Sequence, residues 1–134
     1  MKLFLKIYGM DCAACAGQVT SVLRKTPGID RVRVNFSTSS AELEVLNYPD
    51  FSLLEKRLAR LGYALPKEKV TIKTNIAAFD AAQERIAAQL PAFASVEKSA
   101  EAITLFLYPI GCRGSEILSA FRSAGVPAEI EKWE

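Results

Sequence analysis

The chain has 134 residues, half of them hydrophobic, which suits one medium domain or two very small ones. Its net charge of +2, from 17 basic and 15 acidic residues, gives no electrostatic case for nucleic acid. No apolar run approaches the roughly 18 residues that span a bilayer. We therefore expect a cytoplasmic chain with no nucleic-acid partner and no direct membrane insertion. It has no histidine and only three cysteines, so a disulfide framework is not indicated.

The first half of the chain carries the pattern βαββαβ. Alternating apolar residues predict strands over residues 3–8, 32–36 and 43–45, and a short fourth strand over residues 63–65. Helical spacing predicts one helix after the first two cysteines, ended by Pro27 and Gly28. It predicts a second helix over the leucines of residues 53–61, closed by Gly62.

The second half carries the same pattern. We predict a strand over residues 70–74, a helix over 79–90 ended by Pro91, and a weak strand near Val96. A strong strand over 102–108, a helix over 115–124 and a last strand after Pro127 complete the order.

The two halves correspond residue by residue closely enough to indicate an internal repeat. Gly62 corresponds to Gly125, and the apolar pair Val19 and Leu23 matches Ile86 and Leu90. The predicted fold class is α+β, with two tandem ferredoxin-like βαββαβ sandwiches, the second degenerate. The predicted domains are residues 1–66 and 70–134, and the linker between them is too short for free tumbling.

Two of the three cysteines lie in the stretch GMDCAACA, residues 9–16. The spacing of Cys12 and Cys15 places both sulfurs on one side of a helix start, whose free amides favour thiolates. A closed zinc site needs four ligands, which this chain does not obviously supply, so the predicted site is open and exchangeable. Two thiolates alone suit Cu(I), whereas the carboxylate of Asp11 as a third ligand favours Zn(II) or Cd(II). Asp11 can instead be a helix N-cap.

A strand followed by GMDCAAC, then Val19, Leu23, a Pro-Gly stop and the strand RVRV, resembles the heavy-metal-associated domain. That family comprises βαββαβ domains of copper chaperones, mercuric-ion proteins and the N-terminal arms of metal-transporting P-type ATPases. The resemblance implies Cys12 and Cys15 as metal ligands. It also implies that Gly9 and Met10 support the loop, and that Tyr63 lies near the site.

The resemblance also bears on the metal. Copper-handling members commonly carry Thr or Ser where this chain has Asp11, and the Asp form resembles the arms of zinc, cadmium and lead exporters. The expected cofactor is one metal ion per chain. Zn(II), Cd(II) or Pb(II) is slightly favoured, with Cu(I) a close second.

The second repeat is predicted not to bind metal. In the register that matches Val19 to Ile86, Phe79 stands where the first repeat has Cys12, and Ala82 where it has Cys15. The third cysteine, Cys112, follows a strand in the sequence PIGCRG and is expected to be incidental.

The predicted function is non-catalytic binding and transfer of a metal ion. The chain would serve as the metal-binding arm of a cation-transporting ATPase or as a stand-alone metallochaperone. Its partner would be a metal-donor or metal-acceptor protein, such as domains of a P-type ATPase, with the chain a monomer or a weak metal-bridged dimer. One alternative is a protein-interaction module that docks on a transporter. A thiol redox protein is less favoured, because redox motifs usually carry an aromatic before the first Cys and a Pro between the two.

Overall fold

The computed structural model describes all 134 residues, which form two compact units. The first comprises Met1–Pro66 with Pro109–Gly111, and the second comprises Lys67–Tyr108 with Cys112–Glu134. None of the helices has the length and apolar content that a membrane crossing requires.

The first unit is built on a three-stranded antiparallel sheet. In chain order its elements are β1 (Lys2–Lys6), α1 (Ala13–Arg24), β2 (Ile29–Asn35), β3 (Ser40–Val45) and α2 (Phe51–Ala59). The strand order is β1-β3-β2, and Leu43 of β3 pairs with Leu3 on one side and Val32 on the other. Because side chains alternate along a strand, this row faces the core, to which α1 contributes Val19 and Leu23.

The predicted fourth strand over residues 63–65 is reduced to a single bridge between Tyr8 and Ala64. The amide of Tyr8 donates to the Ala64 carbonyl at 2.7 Å, and the amide of Ala64 donates back at 3.0 Å. Pairing stops there for two local reasons. Gly9 turns the chain away with a φ of +104°, and Pro66 has no amide hydrogen to donate.

The second unit has a complete four-stranded sheet. Its elements are β4 (Glu68–Thr74), α3 (Ile76–Gln89), β5 (Phe93–Lys98), β6 (Ala102–Leu107), α4 (Gly114–Ser123) and β7 (Ala128–Trp133). The strand order is β5-β6-β4-β7, and every pairing is antiparallel. The buried rings of Phe79 on α3 and Phe121 on α4 stack with their centroids 5.7 Å apart.

The predicted register between the two repeats is wrong by one helical turn. Cys12 is the N-cap of α1 and Asn75 is the N-cap of α3, so Asn75 corresponds to Cys12 and Ala78 to Cys15. Phe79 and Ala82 therefore do not occupy the positions of the two cysteines. Apolar residues spaced by four recur on the same helix face at every turn, so their pattern alone does not distinguish the two registers.

The corrected register shows why the second repeat lacks a thiol site. In the first unit, residues 7–11 form a loop between the end of β1 and the cap of α1. In the second unit Thr74 ends β4 and Asn75 already caps α3. The loop that precedes the cysteines is missing from the second unit, and not merely changed in sequence.

Truncation of the stacked Phe79 is expected to destabilise the second unit. We expect Phe79→Ala to cost about 3–5 kcal/mol, because it opens a cavity in a core with a fully buried ring. Urea unfolding followed by the fluorescence of Trp133, the only tryptophan, measures this. Phe4→Ala, which truncates a 59% exposed ring in the first unit, is the matched control and should change stability by no more than about 0.5 kcal/mol. Equal losses in the two variants would contradict the assigned core.

Candidate metal centre

The loop before α1 is held by one glycine and one buried side chain. A Cβ on Gly9 would lie 3.0 Å from the Gly62 carbonyl oxygen and 3.1 Å from Cδ1 of Tyr63, so this position has no room for a side chain. Met10, which the resemblance placed as a support of the loop, is 5% exposed. The glycine lets the chain turn close to Tyr63, and the buried side chain of Met10 anchors the loop to the core.

Cys12 begins helix α1 and uses its own sulfur as the cap. Its backbone is extended, and its Sγ accepts a hydrogen bond from the amide of Cys15 at 3.4 Å. The alternative in which Asp11 caps the helix is therefore wrong. The carboxylate of Asp11 is instead turned towards the thiols, and the Cys15 thiol donates to its Oδ1 at 3.3 Å.

The three predicted ligands converge at the surface. The sulfurs of Cys12 and Cys15 are 3.0 Å apart, and the candidate ligand atoms of these two residues and Asp11 all lie within 4.8 Å of one another. Asp11 and Cys12 are exposed and Cys15 is half-buried. The donor set is two sulfurs and one carboxylate oxygen, which fits a soft or borderline metal ion and leaves the outer side open to solvent.

Neighbouring groups favour the thiolate form of Cys15. The pKa of its thiol is lowered first by the hydrogen bond with Cys12, and then by the polar influence of the Tyr63 hydroxyl and the Asp11 amide. The same contact with Cys15, together with burial, raises the pKa of Tyr63 to about 12. Tyr63 thus remains a neutral phenol at any physiological pH.

One residue of the site was missed by the sequence prediction. The hydroxyl of Tyr63 donates to Oε1 of Gln18 at 2.5 Å. Gln18 follows Cys15 by three residues in α1, and residues at this spacing are neighbours on a helix surface. That spacing was a usable signal, but the resemblance implied only Tyr63 near the site and no residue of the helix beyond Cys15.

The third cysteine has a different environment. Cys112 lies in the second unit, half-buried, with its sulfur 3.5 Å from Oε2 of Glu116. Burial, with the negative charge of Glu116, raises the pKa of its thiol to about 12. It is therefore a protonated thiol at neutral pH, which makes it a poor metal ligand and a poor nucleophile.

The similarity to known proteins falls mainly on the first unit, which carries the candidate metal centre. Residues 4–64 match the model of the heavy-metal-associated domain. A copper-exporting P-type ATPase of Staphylococcus saprophyticus is 34% identical over 73 residues, which are 53% of this chain. The zinc/cadmium/lead-transporting P-type ATPase of Escherichia coli is 37% identical over 65 residues, which are 48% of this chain. This chain covers only 9% of either ATPase.

The likeness of fold extends over both units. The solution structure of the N-terminal soluble domains of CopA from Bacillus subtilis superposes with a TM-score of 0.61. The match covers 98% of this chain and 93% of that one at 21% identity. At this identity the likeness is evidence for the fold alone. It confirms the prediction of two ferredoxin-like units in tandem.

Substitution of Gly9 is expected to distort the loop. We expect Gly9→Ala to destabilise the first unit by about 1–3 kcal/mol, because alanine is strained at this positive φ and its Cβ would press on Gly62 and Tyr63. The matched control is Gly17→Ala in α1, where a Cβ meets nothing within 4 Å and a gain of up to about 1 kcal/mol is expected. Thermal unfolding followed by circular dichroism distinguishes the two. A Gly9→Ala protein as stable as the Gly17→Ala protein would contradict the described turn.

The thiols are expected to differ in reactivity. With metal-free, reduced protein at pH 7, iodoacetamide should alkylate Cys15 at least about thirtyfold faster than Cys112, because only the thiolate reacts and the Cys112 thiol stays protonated. The rate at Cys15 should level off at a lower pH than for an ordinary thiol. Peptide mass spectrometry after timed quenching measures both sites in one sample, and equal rates would contradict the described environments.

Proposed function

Because residues 4–64 match the model of the heavy-metal-associated domain, we propose that this chain binds one soft or borderline metal ion at Cys12, Cys15 and Asp11. We propose further that it passes the ion to a partner protein without catalysing a reaction. The observation that carries the proposal is the convergence of two sulfurs and one carboxylate oxygen within 4.8 Å at the surface. Ligand atoms this close together are within reach of one ion.

Asp11 supports a divalent ion over Cu(I). Since Cys12 already caps α1, the carboxylate of Asp11 is not needed for the helix and lies against the thiol of Cys15. A third, oxygen ligand adds negative charge and suits Zn(II), Cd(II) or Pb(II), whereas Cu(I) is content with two thiolates. The relatives include both copper and zinc/cadmium/lead transporters, so the proposed choice of metal depends on this carboxylate.

The exposure of the site supports transfer. Three ligands leave the fourth position of a tetrahedral ion unfilled, and Asp11 and Cys12 face solvent. A thiolate of a partner can bind in that position before a bond to Cys12 or Cys15 breaks. The ion thus moves by stepwise ligand exchange and is never free in water. The lowered pKa of Cys15 keeps that sulfur ready to bind without a strong base nearby.

The tandem arrangement supports a role as the metal-binding arm of a cation-transporting ATPase. The relatives that match the first unit are P-type ATPases, and the tandem fold is that of the CopA N-terminal soluble domains. The second unit has no loop before its first helix, so we propose one ion per chain, held by the first unit. The partners would be the other metal-binding domains or the metal donor of such a transporter.

Zinc affinity tests the ligand set. We expect reduced protein at pH 7 to bind one Zn²⁺ in competition with a chromophoric chelator. Asp11→Asn should weaken binding about tenfold, because it removes a charged ligand while it keeps the shape. Cys12→Ser or Cys15→Ser should weaken it at least about a hundredfold, since each removes a thiolate.

Two substitutions serve as controls. Asp30→Asn removes an exposed carboxylate on β2, and Cys112→Ser removes the thiol of the second unit. Neither should change the zinc affinity. Asp11→Asn with unchanged affinity would remove the third ligand and favour Cu(I). A wild-type chain that binds no zinc would overturn the proposed zinc site altogether.

A further inference from the structure

The first unit leaves part of its sheet edge unpaired. Its strand order β1-β3-β2 places β1 at the edge, and only the bridge between Tyr8 and Ala64 stands in place of a fourth strand. In the second unit the corresponding edge of β4 is covered by β7 from Val70 to Thr74. The open stretch of β1 is therefore a place where another strand can add.

The register of β1 on β3 identifies which backbone groups face the open edge. The Met1 carbonyl accepts from the Val45 amide, and the Ile7 amide donates to the Ser39 carbonyl. Since paired residues alternate along an antiparallel ladder, the odd-numbered residues of β1 bond to β3. The even-numbered residues therefore direct their amides and carbonyls away from β3, towards the open edge.

Only two of these residues have both backbone groups free. Tyr8 is occupied by its bridge, and the Lys6 amide donates to the Pro109 carbonyl at 3.1 Å. The amides and carbonyls of Lys2 and Phe4 have no hydrogen-bond partner. A strand that adds to this edge must therefore bond to Lys2 and Phe4.

The side chains of the open stretch define the chemistry of its partner. Lys2, Phe4 and Lys6 lie on the solvent face of the sheet, and the Phe4 ring is 59% exposed. Nζ of Lys2 is held by Oε1 of Glu42 on β3 at 2.9 Å, which leaves the methylene stem of the lysine available for packing. A fitting partner strand carries an apolar group opposite Lys2 and an aliphatic stem opposite Phe4.

A second copy of the chain supplies both groups. A twofold axis perpendicular to the sheet makes two β1 strands antiparallel. With that axis between the two Leu3 residues, Lys2 pairs with the partner's Phe4 and Phe4 pairs with the partner's Lys2. We propose that two copies of this chain associate through β1 in this register. The pairing makes four backbone hydrogen bonds and joins two three-stranded sheets into one sheet of six strands.

Charge and occupancy select this register over its neighbours. With the axis at Lys2, the two copies of that lysine face each other. With the axis at Phe4, Lys2 faces the partner's Lys6, and like charges directly opposite destabilise a strand pair. A larger shift needs the backbone groups of Lys6 and Tyr8, which are occupied. Only the axis at Leu3 sets each lysine against an aromatic ring and uses free groups throughout.

The proposed dimer does not depend on a metal ion. Because the two β1 strands run in opposite directions, the loops of residues 7–11 lie at opposite ends of the joined strands. At about 3.3 Å per residue, the two Gly9 residues are about 40 Å apart. The two candidate metal centres therefore cannot share one ion, and both stay open.

Self-association of the reduced full chain, with a metal chelator present, tests the proposal. One short strand pair buries far less than the roughly 1,200 Å² of a stable interface, so we expect a dissociation constant on the order of 1 mM. Translational diffusion measured by NMR over about 0.05–5 mM protein, a range around that constant, should slow as dimer forms. In a mixture of ¹³C-labelled and unlabelled chains, the Phe4 ring should show NOEs to Lys2 methylenes of the other copy.

Two substitutions of Phe4 should weaken the dimer. Phe4→Lys faces Glu42 within its own sheet, so the chain should fold, but it sets two lysines against each other across the axis. We expect dimerisation at least about tenfold weaker. Phe4→Pro removes an amide that bonds across the axis, and proline is tolerated in an edge strand. It should weaken the dimer by a similar factor.

Two further substitutions are controls. Arg33→Ala alters an exposed side chain on β2, at the opposite side of the same sheet. Cys12→Ser removes a proposed metal ligand. Both variants should dimerise as the wild type does.

Four results would overturn the edge pairing. The first is a wild type that stays monomeric up to about 5 mM, well above the expected constant. The second is a dimer that persists unchanged in both Phe4 variants. The third is a dimer that Cys12→Ser abolishes, since a metal ion would then hold it. The fourth is a set of NOEs from Phe4 to the partner's Lys6 in place of Lys2.

Discussion

The site depends on one hydrogen bond, the one from the Cys15 amide to the Cys12 sulfur that begins helix α1. A helix start leaves amide donors that need an acceptor, and most proteins supply a hydroxyl or carboxylate oxygen. Here the acceptor is the sulfur of the first proposed ligand. The hydrogen bond that starts the helix therefore also places the second cysteine, Cys15, in the first turn next to Cys12. The same arrangement frees the carboxylate of Asp11, which faces the thiols instead of the helix amides.

The second unit shows what the fold needs without a metal site. Its first helix begins with a conventional cap, in which the Asn75 side chain accepts from the Ala78 amide at 3.0 Å, and β4 runs directly into that cap. The sheet order and the packing of α3 against α4 require no intervening loop. The loop of residues 7–11 in the first unit is therefore an addition that serves the site. A shared fold in the two halves implies no shared function, because the proposed metal ligands follow a loop that the second unit lacks.

The sequence predicted the order of elements well, because most strands and helices in this chain have a clean apolar period. It predicted the convergence of Cys12 and Cys15 for the same kind of reason, since their spacing on a helix start fixes where the sulfurs point. It failed where periodicity carries no information. A shift by one helical turn leaves the apolar pattern of α3 unchanged, so only the cap at Asn75 reveals the true register. The extent of the fourth strand of the first unit depends on where Gly9 bends the chain, which a pattern of apolar residues does not show.

The contact between Tyr63 and Gln18 was missed for a further reason, because the two residues are far apart in sequence. Tyr63 contacts Gln18 of α1 because two hydrogen bonds between Tyr8 and Ala64 tie the end of the first unit to the loop of residues 7–11. That bridge is a single residue pair, yet it holds the residue next to Tyr63 in place, and the Tyr63 hydroxyl reaches Gln18. The absence of a side chain at Gly9 lets the ring approach this closely. The environment of the Cys15 sulfur is thus determined at both ends of the unit, and the short bridge at Ala64 is as much a part of the site as the loop that carries the cysteines.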